Sequence, residues 1–301
     1  MPHSRFTRFA AATLVFNVGV VLFGAVVRAT GSGAGCGSHW PTCGGTIIPL
    51  SGTAERFIEF GHRASSGVAL ALVAILVVWA VATRPSRDPV RLAAVAAGIL
   101  ILSEALIGAA LVMFEWVADD RSVARAVSIT VHLVNTFLLL GALALTAWWS
   151  SGRPVPPRSP ARSTLWRVAI GAGALILVGA AGAITALGDT LFPPEGLGEF
   201  EADPTGGFLV RLRWVHPILA VITAAYLVYL SRTLRVPEWM GSGLRALVVV
   251  QIGAGLLNVA LLAPVWMQLV HLLVADALWI GFVVVGSTAL VEPARVEMVS
   301  A

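Results

Sequence analysis

Glu59-Phe60-Gly61-His62-Arg63 stands where a polar loop ends and an apolar run, Ala64 to Ala82, begins. About 20 predominantly apolar residues are enough to cross a bilayer as a helix, so a carboxylate, an imidazole and a guanidinium gather at the mouth of a predicted transmembrane span. Glu59 and His62 are three apart and share a helix face if the helix begins before Glu59. Ionisable groups at a membrane boundary are costly to desolvate and usually mark function. For a single histidine, the competing reading is a solvated loop end.

Working outward, eight apolar runs can be marked: 9–27, 62–82, 92–113, 125–148, 165–187, 210–230, 244–262 and 268–290. The chain is 57% hydrophobic and 12% charged, against about 45–50% and about 25% for a soluble domain. The fold class this implies is an all-α polytopic membrane protein of eight transmembrane helices. All 20 basic residues are arginine. They read as loop charges rather than a nucleic-acid surface, because no basic run is interleaved with aromatics. Arg5 and Arg8 precede the run Phe9–Val27, which is longer than the about 7–15 apolar residues of a signal peptide. An uncleaved first span is expected, and the lack of room for an organelle presequence before it points to a bacterial cell membrane.

An even number of spans puts both termini on one side. With the N-terminus inside, 13 arginines fall in cytoplasmic segments and seven outside, namely Arg28, Arg56, Arg63, Arg121, Arg125, Arg211 and Arg213. The excess sets both termini in the cytoplasm. The Pro- and Arg-rich stretch 150–164 then reads as a cytoplasmic linker between an N-terminal half, 1–149, and a C-terminal half, 165–301. The halves look like repeats. Ala25 and Thr30 match Ala180 and Thr185 at an offset of 155, and His62 matches His216 at 154. Glu104-x-x-x-Gly108 matches Gln251-x-x-x-Gly255 at 147, and Val131-His132-Leu133 matches Val270-His271-Leu272 at 139. Both halves start inside, so the expected repeat is parallel, about an axis along the membrane normal.

His62, His132, His216 and His271 thereby fall on spans two, four, six and eight. Each lies within about two turns of the outer end, or about 12 Å. Two pairs at one depth suggest two sites near the outer face, one per half. Zinc prefers three or four closely placed ligands. Paired imidazoles on separate helices suit an iron porphyrin held in a bundle core. Gly61, Ala64, Gly67, Ala69, Gly141, Ala142 and Ala220 would leave room for a flat macrocycle, although small residues also simply let helices pack closely. An interhelical hydrogen bond is the competing reading for each histidine alone. Glu104, Asn135, Gln251, Asn258 and Asp276 are the other polar groups inside the spans. Asn135 and Asp276 follow a histidine by three and five residues, and helix–helix bonding is the simpler role for them.

The first outer loop, Thr30-Gly31-Ser32-Gly33-Ala34-Gly35-Cys36-Gly37-Ser38-His39-Trp40-Pro41-Thr42-Cys43-Gly44, holds both cysteines of the chain. An oxidising compartment favours a Cys36–Cys43 disulfide. A redox-active thiol pair and a Cys/Cys/His metal site lacking a fourth ligand are the alternatives.

Arg28-Ala-Thr-Gly-Ser-Gly…Cys36…Trp40-Pro41…Cys43-Gly44, then Glu59-Phe-Gly-His62-Arg63, then three histidines on alternate spans, resembles haem A synthase along essentially the whole chain. That resemblance implies oxidation of the C8 methyl of haem O to a formyl group by successive hydroxylations, giving haem A for terminal oxidases. It further implies haem b as prosthetic group on one histidine pair, haem O on the other, and a disulfide in the loop. On this reading haem O, with its farnesyl tail, enters from lipid. Glu59 serves as base or as stabiliser of cationic character at the reacting carbon, and Arg28, Arg63, Arg125, Arg211 and Arg213 are candidate partners for haem propionates. Arg213 stands three before His216 where Glu59 stands three before His62. Only the first half thus offers a carboxylate, which assigns haem O to His62/His132 and haem b to His216/His271. The resemblance implies haem O synthase and terminal oxidase assembly factors as partners, together with an electron acceptor of unknown identity. A two-haem b-type electron-transfer protein and a transporter with histidines in a proton path remain open alternatives.

Overall fold

The computed structural model describes residues 5–192 and 213–291. They form α1 (Arg5–Ala29), α2 (Ala54–Thr83), α3 (Pro89–Met113), α4 (Val123–Ser150), α5 (Arg162–Leu191), α6 (Val215–Thr233), α7 (Glu238–Ala260) and α8 (Val265–Ala289). All eight are long and apolar enough to cross a membrane. Among the described residues there is no strand, only an isolated bridge between Cys43 and Thr46. The chain is an all-α, multi-pass membrane protein.

Several helices outrun the apolar stretches that announce them. Hydropathy marks the part in hydrocarbon, whereas backbone hydrogen bonding continues into the interface. α2 begins at Ala54 rather than near His62, so Glu59 and His62 do lie on one helix. The sixth expected span, 210–230, lies partly outside the described residues, where α6 is described only from Val215. Side-chain caps fix two starts. Asp88 accepts the Val90 N–H at 2.8 Å with Pro89 in the first turn, and Ser122 accepts the Arg125 N–H at 3.1 Å.

α3 and α7 end in the same way. Glu115 N–H donates to Val112 O and Trp116 N–H to Leu111 O, and 147 residues further on Leu262 N–H donates to Val259 O and Ala263 N–H to Asn258 O. This is a Schellman stop, with Glu115 and Leu262 in the left-handed region at φ 59° and 60°. A non-glycine residue there costs about 1–2 kcal/mol, and the same conformation falls on both chain stretches.

The neighbours also correspond. α1 packs on α2, α2 on α3, α3 on α4 and α4 back on α1; α5, α6, α7 and α8 close the same ring. The two rings meet through α1, α4, α5 and α8. Each ring is densely packed at one end. Phe6 and Ala10 of α1, Val73 and Leu76 of α2, Ala94 and Ala97 of α3 and Leu143 of α4 form one core. Leu227 and Leu230 of α6, Leu244 and Val248 of α7 and Phe282 of α8 form the other. Both cores collect the late residues of the even helices. The histidines stand in the first about three turns of those helices, at the opposite end, where a smaller apolar cluster gathers Ala126 and Ile129 of α4 with Ile184 and Leu187 of α5.

Candidate functional site

The histidine ends are built from glycine seats and polar partners. The His62 ring of α2 lies against Gly24 of α1, where an added Cβ would meet Cε1 at 3.1 Å. The His216 ring of α6 lies against Gly182 of α5 at 3.0 Å, and the His271 ring of α8 against Gly255 of α7 at 3.1 Å. Only glycine lets a neighbouring backbone approach an imidazole so closely. Phe23 meets His62 edge-on, with ring centroids 5.8 Å apart.

In the second ring of helices, His216 and His271 face each other at 6.3 Å between centroids, nearly perpendicular. Metal–imidazole bonds of about 2 Å put two ring centroids on one ion about 6 Å apart, so the pair is spaced to share an iron. His216 Nδ1 sits 3.1 Å from Val178 O, which leaves Nε2 as the ring nitrogen that could bind a metal. His271 Nδ1 is buried without a hydrogen bond, and its Nε2 is 3.4 Å from the Gln251 amide.

In the first ring of helices His62 and His132 occupy one electrostatic neighbourhood with Glu104. His132 Nδ1 lies 3.3 Å from Glu104 Oε1, off the line of a good hydrogen bond. Asn135 Nδ2 donates to Glu104 Oε2 at 2.5 Å and to Leu100 O at 2.9 Å, and the Thr136 hydroxyl reaches Glu104 Oε1. Ser103 donates to Asn135 Oδ1 at 2.7 Å. The repeat-equivalent Glu104 and Gln251 thus both address the histidine of the next helix. Asn135 bonds α4 to α3, as expected, and does so largely through Glu104. Asp276 is fully buried with no partner on either oxygen.

Glu59 is only 3% exposed, and both of its oxygens are engaged. The Cys36 N–H donates to Oε2 at 2.6 Å, and Arg63 pairs with Oε1. Arg63 also donates to His39 O at 2.5 Å and Thr42 O at 2.7 Å, while Arg56 donates to Cys43 O at 3.1 Å. Cys36 and Cys43 form a disulfide across this loop. The Glu-x-x-His-Arg stretch is therefore a clamp in which Glu59 and Arg63 hold the disulfide loop over the start of α2, with His62 on the next turn of the same helix.

Three more of the arginines considered for propionates also have protein partners. Arg28 Nη1 donates to Ala186 O at 2.6 Å and Thr190 Oγ1 at 2.5 Å, and Nη2 to Gln268 Oε1 at 2.8 Å, tying α1 to α5 and α8. Arg125 donates to Asp120 O at 2.8 Å and to Ala118 O. Arg213 pairs with Asp189 at 2.8 Å and donates to Gly188 O at 3.1 Å. Arg211 lies outside the described residues. Gly24 and Gly182 were not singled out in the sequence, and Gly255 only as part of the Gln251-x-x-x-Gly255 match, because a glycine seat shows only once its partner helix is known. Of the small residues expected to open space, Gly61 faces Phe23 at 3.0 Å and Gly141 faces Trp279 at 3.5 Å, whereas Gly67 has nothing within 4 Å.

Helices in two rings, with their imidazoles gathered at one end, define a multi-pass membrane bundle with paired histidine sites. Residues 7–283 match the COX15-CtaA family, cytochrome oxidase assembly protein. The chain belongs to this family. It is 48% identical to a Thermus thermophilus protein named protoheme IX farnesyltransferase, over 98% of this chain and 50% of that one. It is 38% identical to the heme A synthase of Alkalihalophilus pseudofirmus over 37% of this chain and 38% of that one. With the heme A synthase of Halalkalibacterium halodurans it shares 34% identity over 52% of this chain and 50% of that one. The chain spans about half the length, or less, of these curated relatives.

Proposed function

We propose that this protein is a haem A synthase, an oxidoreductase that converts the C8 methyl of haem O to a formyl group by successive hydroxylations. The observation that carries the reading is the set of four imidazoles, one near the start of each even helix, in a chain of this family. The donor set suits haem: imidazole nitrogens on separate helices, with one pair spaced to share an ion.

In this proposal His216 and His271 hold haem b, and His62 and His132 hold haem O. A bound haem supplies the redox chemistry that oxidation of an unactivated methyl requires. The protein's own residues orient and enclose. Glycine seats fix three of the rings, Val178 O fixes the His216 tautomer, and the clamped disulfide loop covers the outer end of the first pair. Glu59 is the catalytic carboxylate of this scheme, held in place by Arg63 and the Cys36 amide. Where the loop loosens, its oxygens become free to take a proton or face developing positive charge. Haem O comes from lipid, a haem O synthase supplies it, and electrons leave to a separate acceptor. The proposed setting is a bacterial cell membrane, with both termini and the 150–164 linker in the cytoplasm and the cysteine loop outside.

The farnesyltransferase name of the Thermus relatives belongs to chains of which this one covers 50%, so it need not describe the matched half. One experiment separates the readings. The protein is expressed in cells that make haem O but no haem A. Haem A in the extract, lost in His62→Ala, supports the proposal. Haem O made from haem b and farnesyl diphosphate by the purified protein would favour prenyl transfer, and two haems b with no new product would favour electron transfer.

A further inference from the structure

Glu104 and Gln251 occupy corresponding places on α3 and α7, and each faces the histidine of the following helix at a different ring nitrogen: Glu104 Oε1 lies 3.3 Å from His132 Nδ1, and Gln251 Nε2 lies 3.4 Å from His271 Nε2. They differ in what they can do. Gln251 offers a neutral amide. Glu104 offers a carboxylate that accepts from the Asn135 amide at 2.5 Å and from the Thr136 hydroxyl, with His132 Nδ1 3.3 Å away. A second layer fixes this arrangement, since Asn135 also donates to Leu100 O at 2.9 Å and accepts from Ser103 at 2.7 Å. A carboxyl group so supplied with donors inside a membrane bundle acts as an acceptor. The one ring nitrogen it faces is Nδ1, which leaves Nε2 of His132 for iron.

We propose that Glu104 is a positioning residue for His132: it takes the Nδ1–H, fixes the ligating tautomer and makes this imidazole a more basic ligand than its counterpart His271, so that the two haem sites are electronically unequal. The inference rests on the histidine-ligation reading above. A metal-bound histidine commonly gives its other N–H to a carboxylate, which orients the ring and raises its basicity. Contacts that are long without the ligand tighten once it is bound, and closing 3.3 Å to a hydrogen-bond length needs only a few tenths of an ångström. A more basic ligand favours ferric over ferrous iron. The first pair, where the substrate porphyrin is proposed to sit, is thereby biased toward the oxidised state. The second pair, with Gln251, is not.

The test uses the detergent-purified full chain, loaded with haem b as the probe for both sites, and reads midpoint potentials and low-temperature EPR. Glu104→Gln is expected to shift the ferric-to-ferrous affinity ratio at the His62/His132 site at least about tenfold toward ferrous, or about 59 mV upward for a one-electron couple. The other site should be unmoved. Thr136→Val, which keeps the carboxylate but removes one of its donors, covers the case in which Glu104→Gln does not assemble; it leaves Glu104 a stronger acceptor for the Nδ1–H and should move the same potential downward in a smaller step, and an unmoved potential there would count against the proposal. A Glu104→Gln protein that keeps its haem with the wild-type potential and EPR signal at this site would overturn the proposal. His132→Ala with an unchanged spectrum would instead overturn the ligation reading beneath it.

Discussion

On the proposed function Glu59 has two duties that pull against each other. Its oxygens receive the Cys36 amide and Arg63, so the carboxylate that would serve the chemistry also holds the loop. Glu59→Ala should retain haem b at the second pair yet lose most haem A formation, and Glu59→Gln should recover loop protection from protease more than activity, because an amide still accepts from Cys36 N–H but cannot act as a base. Haem A formation at the normal rate in Glu59→Ala would remove the catalytic role. A second expectation concerns the glycine seats. Gly182→Val puts methyl groups where the His216 ring already stands 3.0 Å from the first added carbon. Haem b content should fall by at least about tenfold, in line with the 10–100-fold cost of disturbing a ligand's surroundings, and pigment content of the purified protein measures it. The Glu59/His62 spacing was legible in sequence because both groups lie on one helix. The seat of each histidine was not, since it depends on which backbone a neighbouring helix presents, and glycine leaves no pattern of its own.

At the scale of elements, the loop between α1 and α2 depends on its disulfide and its clamp together. Closing so short a ring removes chain entropy worth about 2–3 kcal/mol on the loop-closure model, and the ring lies outside both apolar cores. Cys36→Ser with Cys43→Ser should therefore leave resistance of the bundle to denaturing detergent nearly unchanged, while protease cleavage near Gly44 rises and haem A formation falls. Equal loss of bundle stability would contradict this. The α5–α6 junction is held differently, by the Asp189–Arg213 pair, with side chains 15% and 6% exposed. Arg213→Ala removes the direct partner of a largely buried carboxylate and should cost up to about 3 kcal/mol, the low end for a broken buried pair because Asp189 keeps some solvent and Arg28 stays nearby. Asp189→Asn added to it should restore part of the loss in a double-mutant cycle. The eight helices were legible from apolar length, and their ends less so. The matching stops at Glu115 and Leu262 have no glycine to announce them, and the start of α2 lies upstream of its apolar run because polar residues continue the helix into the interface.

At the scale of the molecule, the two helix rings meet through α1, α4, α5 and α8, with Arg28 fastening α1 to α5 and α8 at the histidine end. Trp279 Nε1 donates to Phe137 O at 2.5 Å and Trp149 Nε1 to Ser287 Oγ at 3.0 Å, fastening α4 to α8 deeper in. These ties were not legible in the sequence, because they join residues from opposite halves of the chain. The proposed function requires the bundle to hold two unlike porphyrins at one end. The most direct measurement is mass analysis of the haems extracted from the purified wild-type protein made in cells that supply haem O, beside His132→Ala and His271→Ala. The account predicts haem b together with haem O or its hydroxylated or formyl products in the wild type, selective loss of haem O and its products in His132→Ala, and loss of haem b in His271→Ala. A colourless protein, or two haems b unaffected by either substitution, would contradict it.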